Sequence, residues 1–139
     1  MILQKGLENL EEAKKVREAV FVIEQGYDEE FDEIDEIAWH VLILDNQQGI
    51  AVGRTYQDNH DSQLFHIGRM AVLKEYRKQS LGRLIMSNLE KQAKRLGAKT
   101  MKLSAQQHAI GFYQSMGYQV ISEVYLDQGQ PHVSMKKTI

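Results

Sequence analysis

Apolar residues recur at helical spacing near the start of the chain. Leu7, Leu10, Ala13, Val16, Val20 and Phe21 fall on one face and predict a helix over residues 8–21. It runs on to about Glu24, and Gly26 stops it. Residues 27–36 are acidic and read as a loop with a helical turn. The pattern then changes to short apolar runs of strand length. Residues 37–44, with the run Val41-Leu42-Ile43-Leu44, and residues 50–56 predict two strands, and the polar cluster Asp45-Asn46-Gln47-Gln48-Gly49 makes them a hairpin. A polar loop, 57–63, leads to a third strand over 64–73. The clearest helix spans 80–96, where Leu81, Leu84, Ile85, Leu89, Ala93 and Leu96 form one stripe and Gly97 supplies the stop. A short strand over 100–104, a short helix over 108–116 and two strands over 118–126 and 132–137 complete the chain. The turn Asp127-Gln128-Gly129-Gln130-Pro131 joins the last two, and its proline, the only one in the sequence, sits where it costs no ladder bond.

The predicted order is therefore α β β β α β α β β, without internal repeat. Strand–helix–strand over 64–104 requires a parallel crossover, whereas the hairpins are antiparallel. The fold class is α/β: a mixed, mostly antiparallel central sheet flanked by helices, with one parallel β-α-β step. The 139 residues suit one domain, which should bury roughly 68% of its unfolded surface. Apolar residues at 42% and charged residues at 26% disfavour disorder and coiled coil. The absence of cysteine removes disulfides, thiolate metal sites, iron–sulfur clusters and a cysteine nucleophile together. The N-terminal residues lack the apolar core of a signal peptide, and no apolar run approaches the ~18 residues of a membrane span. A soluble cytoplasmic protein without membrane contact is the expectation.

The net charge of −2 conceals a segregation. Residues 24–36 hold eight acidic side chains and no basic one, while residues 74–102 hold nine basic ones and only Glu75 and Glu90 as acids. This pattern fits two solvated faces, or a positive surface for one ligand and a negative one for another, the second attracting a cationic amine. Nucleic acid is disfavoured as a partner: the sequence pI is ≈ 6.2, and basic residues do not alternate with aromatic ones. The five histidines show no i, i+4 pair or carboxylate cluster that would argue for a metal. No serine stands in a nucleophile-elbow context.

The chemistry concentrates where the third strand meets the long helix. A helix N-terminus presents unpaired N–H groups and partial positive charge. Ser80 is placed to cap it, Gly82 lets a ligand approach the first turn, and Arg77, Lys78 and Arg83 add three cations. The segment reads either as an ordinary capped helix start or as a phosphate cradle. It is neither a Walker A loop nor a dinucleotide fingerprint.

Arg77-Lys78-Gln79-Ser80-Leu81-Gly82 resembles the Gln/Arg-x-x-Gly-x-Gly/Ala signature of the GNAT superfamily of acyl-CoA N-acyltransferases. Gly68-Arg69-Met70-Ala71-Val72 resembles that family's cofactor strand. Ala109-Ile110-Gly111-Phe112-Tyr113-Gln114-Ser115-Met116-Gly117-Tyr118 is similar to its second signature, Ala-x-x-Phe-Tyr-x-x-x-Gly-Phe/Tyr. Val20-Phe21-Val22-Ile23-Glu24-Gln25 and Gly129-Gln130-Pro131-His132 resemble the small bacterial ElaA-like subgroup. Ser80 departs from the signature, since a glycine is usual there.

The resemblance implies an acetyl-CoA-dependent N-acetyltransferase. Acetyl-CoA would lie where the strands ending near Val72 and Ser104 splay apart. Backbone groups of Met70, Ala71 and Val72 would pair with the pantetheine and polarise the thioester. Arg77, Lys78, Gln79, Ser80, Leu81, Gly82 and Arg83 would hold the phosphates, and Gln106 or Gln107 would contact the cofactor or orient Tyr113. An amine of a small molecule or peptide would attack the thioester directly in a ternary complex. Tyr113, a phenol of ordinary pKa ≈ 10, would protonate the departing thiolate, and no metal would be needed. Candidates for the base are Glu24, His40, His66 and His132, with Glu24 also able to face the acceptor side. Phe112 reads as a core aromatic. The alternative is a catalytically silent acyl-CoA-binding sensor or interaction module. The edge of the last strands offers a surface for a homodimer.

Overall fold

The computed structural model describes residues 1–27 and 31–139. Eight strands form one sheet: β1 (Ile2–Lys5), β2 (Trp39–Asp45), β3 (Gln48–Gln57), β4 (Leu64–Val72), β5 (Thr100–Gln106), β6 (Gln119–Val120), β7 (Tyr125–Asp127) and β8 (Gln130–Thr138). Their order is β1-β2-β3-β4-β5-β8-β6, with β7 also paired to β8. Only β4 and β5 are parallel among the described pairs, as the strand–helix–strand step requires.

Alternation along the strands gives the sheet two apolar faces. Leu42, Val52 and Ala71 pack under Leu10, Ala13, Val16, Val20 and Phe21 of the first helix, α1 (Glu11–Arg17) and its continuation. Their neighbours Val41, Ala51, Phe65, Ile67, Met101, Leu103 and Met135 face the opposite way, against Ile85, Met86, Leu89 and Ala93 of α3 (Leu81–Arg95). Two short helices, α2 (Ile34–Ile37) and α4 (Ile110–Gln114), complete the elements.

Four details differ from the pattern-based expectation. Strand β1 leaves no mark in the sequence pattern, because four residues are too few to show a period. The first helix widens after Arg17 into π-helical turns over Glu18–Glu24, where Gln25 donates to the Val20 carbonyl at 3.0 Å. Residues 34–37 are helical, so the second strand starts at Trp39 rather than at residue 37. The strand expected over 118–126 is broken into β6 and β7. Between them the Ser122 hydroxyl accepts the Ser134 N–H at 2.8 Å and replaces a ladder carbonyl.

Candidate active site

The parallel ladder between β4 and β5 ends at the pair Ile67–Leu103. Residues 68–72 and 104–106 continue without pairing to one another. The cause lies on the other edge of β4. There Val52 faces Ala71 and Arg54 faces Gly68, so Arg69 and Met70 together oppose Gly53. Arg69 takes φ +51° in this bulge. An extra residue bends and twists its strand, and here it turns β4 away from β5. The result is a cleft of about 340 Å³ lined by Arg54, Tyr56, His66, Met70, Lys102, Ser104, Gln106, Tyr113 and His132, among others.

Two straps from the π-helical segment reach the flanks of this gap. On the β4 side, Glu24 takes both guanidinium nitrogens of Arg77 at 2.7 and 2.8 Å, while Arg77 Nε donates to the Val72 carbonyl at 3.0 Å. On the β5 side, Gln106 Nε2 donates to Gln25 Oε1 at 2.9 Å and to Tyr27 Oη at 3.2 Å. The Arg77 hydrogen bond holds the Glu24 carboxyl below the usual carboxylate range, and Glu24 is not among the residues lining the cleft. Its paired, less basic carboxylate is poorly suited to take a proton.

The loop before α3 is built differently from a capped helix. Ser80 occupies the N-cap position at φ +62°, and Lys78 stands at φ +68°. An N-cap oxygen reaches the first-turn amides from extended backbone, so in the left-handed region the Ser80 hydroxyl makes no cap hydrogen bond. This corrects the capping role expected of Ser80. The amides of residues 78–83 have no protein acceptor among the described residues and stay open for an anion. A second hollow of about 280 Å³ adjoins them, lined by Val72, Arg77, Lys78, Ser80, Leu81, Gly82, Arg83 and Phe112. Gly82 also makes room for packing: a Cβ there would lie 3.0 Å from Phe112 Cζ. Arg83 is anchored to the Ser115 hydroxyl at 2.6 Å, which ties α3 to α4. Gln79 is exposed and brings only its amide.

The three strand residues divide. Leu73 N–H donates to the Ile50 carbonyl at 2.9 Å, so Val72 and Ala51 form a non-bonded pair and Val72 turns its N–H to the gap. Ala71 by the same alternation turns its backbone groups to β3, and its side chain lies under the first helix. The backbone pairing expected of Ala71 toward the cleft is therefore unavailable. Met70 lines the cleft.

Tyr113 is placed on α4 against Phe112 and Tyr118, with ring centroids 5.0 and 6.1 Å away in edge-on contacts. It is 8% exposed, and burial pushes its phenol up to about 12. Its hydroxyl has no hydrogen-bond partner among the described residues. Of the histidines, His66 and His132 line the cleft, but His40 does not. His40 is buried beside the Asp35 carbonyl, 2.9 Å from Nε2, and burial lowers its pKa. His66 stacks on Tyr56 and meets Asp58 Oδ1 through Nε2 at 2.7 Å; that hydrogen bond takes Asp58 down to about 2. His132 Nδ1 meets the Gln130 carbonyl at 2.8 Å.

Where the acidic stretch is described, Glu24, Asp32, Glu33 and Glu36 are exposed and Asp35 is buried, but the carboxylates at 32 and 35 are taken up by arginines. Asp35 takes Arg17 at 2.6 and 3.1 Å and Arg54 at 2.8 Å; Asp32 takes Arg54 at 2.7 and 3.1 Å and Arg69 at 3.3 Å. Asp32 and Asp35 are thus neither a solvated face nor a free negative surface. Asp28, Glu29 and Glu30 lie outside the described residues. This network was missed in the sequence, although a signal was there: Arg54 interrupts the apolar strand Ile50-Ala51-Val52-Gly53, and a buried arginine needs acids. Among the described residues no group of histidines and carboxylates could hold a metal, and no helix is long and apolar enough to cross a membrane.

A sheet parted at its one parallel step, with open amides at the following helix start, is the architecture of an acyltransferase. The model of the acetyltransferase (GNAT) domain matches residues 8–139, and the chain belongs to that family. It is 38% identical to the N-acetyltransferase YjcF of Bacillus subtilis, over 98% of this chain and 97% of that one. It is 33% identical to protein ElaA of Escherichia coli, over 90% and 84%. An acyl-CoA N-acyltransferase from Pseudomonas aeruginosa superposes with a TM-score of 0.88 at 28% identity, over 99% and 97%. The protein is an acetyltransferase enzyme.

Proposed function

We propose that the protein transfers an acetyl group from acetyl-CoA to a primary amine by direct attack in a ternary complex. The reading rests on the gap beyond Ile67–Leu103, flanked by open amides at one end and Tyr113 within it. Acetyl-CoA fits these residues. The amides of residues 78–83 take the pyrophosphate, with Lys78 beside them. The open edge of Val72, with Met70, receives the pantetheine. Gln106, already bonded to Gln25 and Tyr27, frames the far side. Arg77 acts here through Glu24 and Val72, holding the loop in position.

The neutral amine nitrogen attacks the thioester carbonyl carbon, and the carbonyl becomes an oxyanion. The carbon–sulfur bond then breaks, leaving an amide and a thiolate. Tyr113 gives its phenolic proton to the thiolate and regains one from solvent. Burial raises the phenol, and the same apolar surroundings raise a thiolate's demand for a proton, so the transfer stays feasible. The proton shed by the amine passes to His66, which Asp58 orients from behind. Holding both reactants in one cleft supplies much of the rate.

Titration calorimetry with acetyl-CoA tests the reading, alongside thiol release with a panel of primary amines. Micromolar or tighter binding and amine-dependent release are expected. No binding of acetyl-CoA at millimolar concentration would overturn it.

A further inference from the structure

The first helix covers only part of its face of the sheet. Beyond it, the same face carries Arg54 and Tyr56 of β3, His66 of β4, Lys102 and Ser104 of β5 and His132 of β8. Two cationic donors in this open area are unsatisfied. Arg54 is 3% exposed, and its Nε has no hydrogen-bond partner, although its terminal nitrogens bind Asp32 and Asp35. Lys102, partly buried in the cleft wall, has no acidic partner among the described residues. A buried donor left unpaired costs free energy, so the persistence of Arg54 Nε beside a substrate cleft, with a free ammonium near it, points to a ligand that pairs both.

Position brings the two donors to one spot. Arg54 faces Gly68 across the β3–β4 ladder, and a Cβ at Gly68 would lie 3.8 Å from Arg54 Nε. A Cβ there would meet no other atom within 4 Å, so the buried Nε borders the space that the glycine leaves in the cleft lining. Lys102 pairs with His66, two positions before Gly68. Strand spacing and rise then put its Cα about 8 Å from that of Gly68, within the span of an extended lysine. We propose that the acceptor amine also carries a carboxylate, which Arg54 Nε–H and the Lys102 ammonium bind over Gly68. The inference rests on the acyl-transfer reading above and names its acceptor class: amino acids with a free amine, not polyamines. Asp32 and Asp35 already take the terminal nitrogens of Arg54, so the arginine offers one further donor, Nε–H, beside the Lys102 ammonium. Two donors match the two oxygens of a carboxylate. It also reverses the cationic acceptor suggested by the acidic run, whose Asp32 and Asp35 are paired with arginines.

The test compares glycine, β-alanine and 4-aminobutyrate with their primary amides as acceptors, with acetyl-CoA as donor. At least one acid should exceed its amide by about tenfold or more in kcat/KM. Lys102→Met should bring that ratio to about one, and Lys102→Arg should restore it. Gly68→Val, which fills the space beside Arg54 Nε, should act like Lys102→Met. In parallel, the N-acetylated acids and amides are titrated into the protein without donor, where the acids should bind more tightly. Amides used as well as acids, or an acid preference that survives Lys102→Met, would overturn the proposal and leave acyl transfer standing. Tighter binding of the acids with no binding of acetyl-CoA would keep the anion site and overturn acyl transfer instead. Equal binding of acids and amides would mean that water alone satisfies Arg54 and would also overturn the proposal.

Discussion

Tyr113 shows how one side chain combines two demands. Its ring fills the core between Phe112 and Tyr118, yet its hydroxyl is left unbonded at the cleft. With the phenol near 12 it stays protonated at any ordinary working pH, which suits the acid role proposed for it rather than that of a base. Tyr113→Phe keeps the ring and removes the proton. It should lower kcat by about 10²–10⁴-fold while leaving the acetyl-CoA Kd nearly unchanged; an unchanged kcat would remove Tyr113 from the chemistry. Ser80 and Glu24 illustrate how a residue's type can be right and its role wrong. A serine before a helix suggests a cap, but φ +62° turns its hydroxyl away and frees the amides. A glutamate near a cleft suggests a base, but Glu24 spends both oxygens on Arg77.

At the scale of elements, the bulge in β4 is the feature on which the cleft depends. Gly53 lies opposite it, and an added Cβ would come within 2.6 Å of Ile85 Cγ2 and 2.7 Å of Met70 Sδ. Met70 Sδ belongs to a flexible thioether that can shift, but Ile85 Cγ2 is a branched methyl fully buried on α3, so that contact carries the cost. Gly53→Ala should cost about 1–3 kcal/mol of stability, measured by urea unfolding, and weaken acetyl-CoA binding with it. A variant as stable as the parent would show that α3 and the bulge give way easily. The long helix and both hairpins around β4 were legible because their apolar periods run for many residues. The π-helical turns were not, because an i→i−5 pattern leaves no mark in a 3.6-residue period.

At the scale of the molecule, the Arg17–Asp35–Arg54–Asp32 network joins the first helix, the segment before β2, and β3. Burial alone would raise the Asp35 pKa, but the hydrogen bonds from Arg17 and the Asp32 N–H, with the Arg17 and Arg54 charges, outweigh it and hold it at about 2. A carboxyl depressed below its ordinary 3.8 adds stability that is complete above about pH 5. That stability drains as pH falls from about 4 toward about 2, and it amounts to roughly 2 kcal/mol. Asp35→Asn should cost about 3–5 kcal/mol near neutrality, because it removes the buried carboxylate that Arg17 and Arg54 share. It should also flatten the acid limb of the stability curve, followed by urea unfolding across pH. An unaltered limb would mean that other carboxylates carry the acid sensitivity.

The sequence by itself determined the order of the main elements, the parallel step and the two signatures around Arg77 and Tyr113. These are local patterns, each readable from residues close together along the chain. Only the tertiary structure decided that a bulge parts β4 from β5, that Ala71 faces β3 while Val72 faces the gap, and that the acids at 32 and 35 pair with arginines. Such outcomes depend on strand register and on partners such as Arg17–Asp35 and Gln25–Gln106, far apart in the chain. Spacing along one segment carries no record of which distant segment will lie beside it.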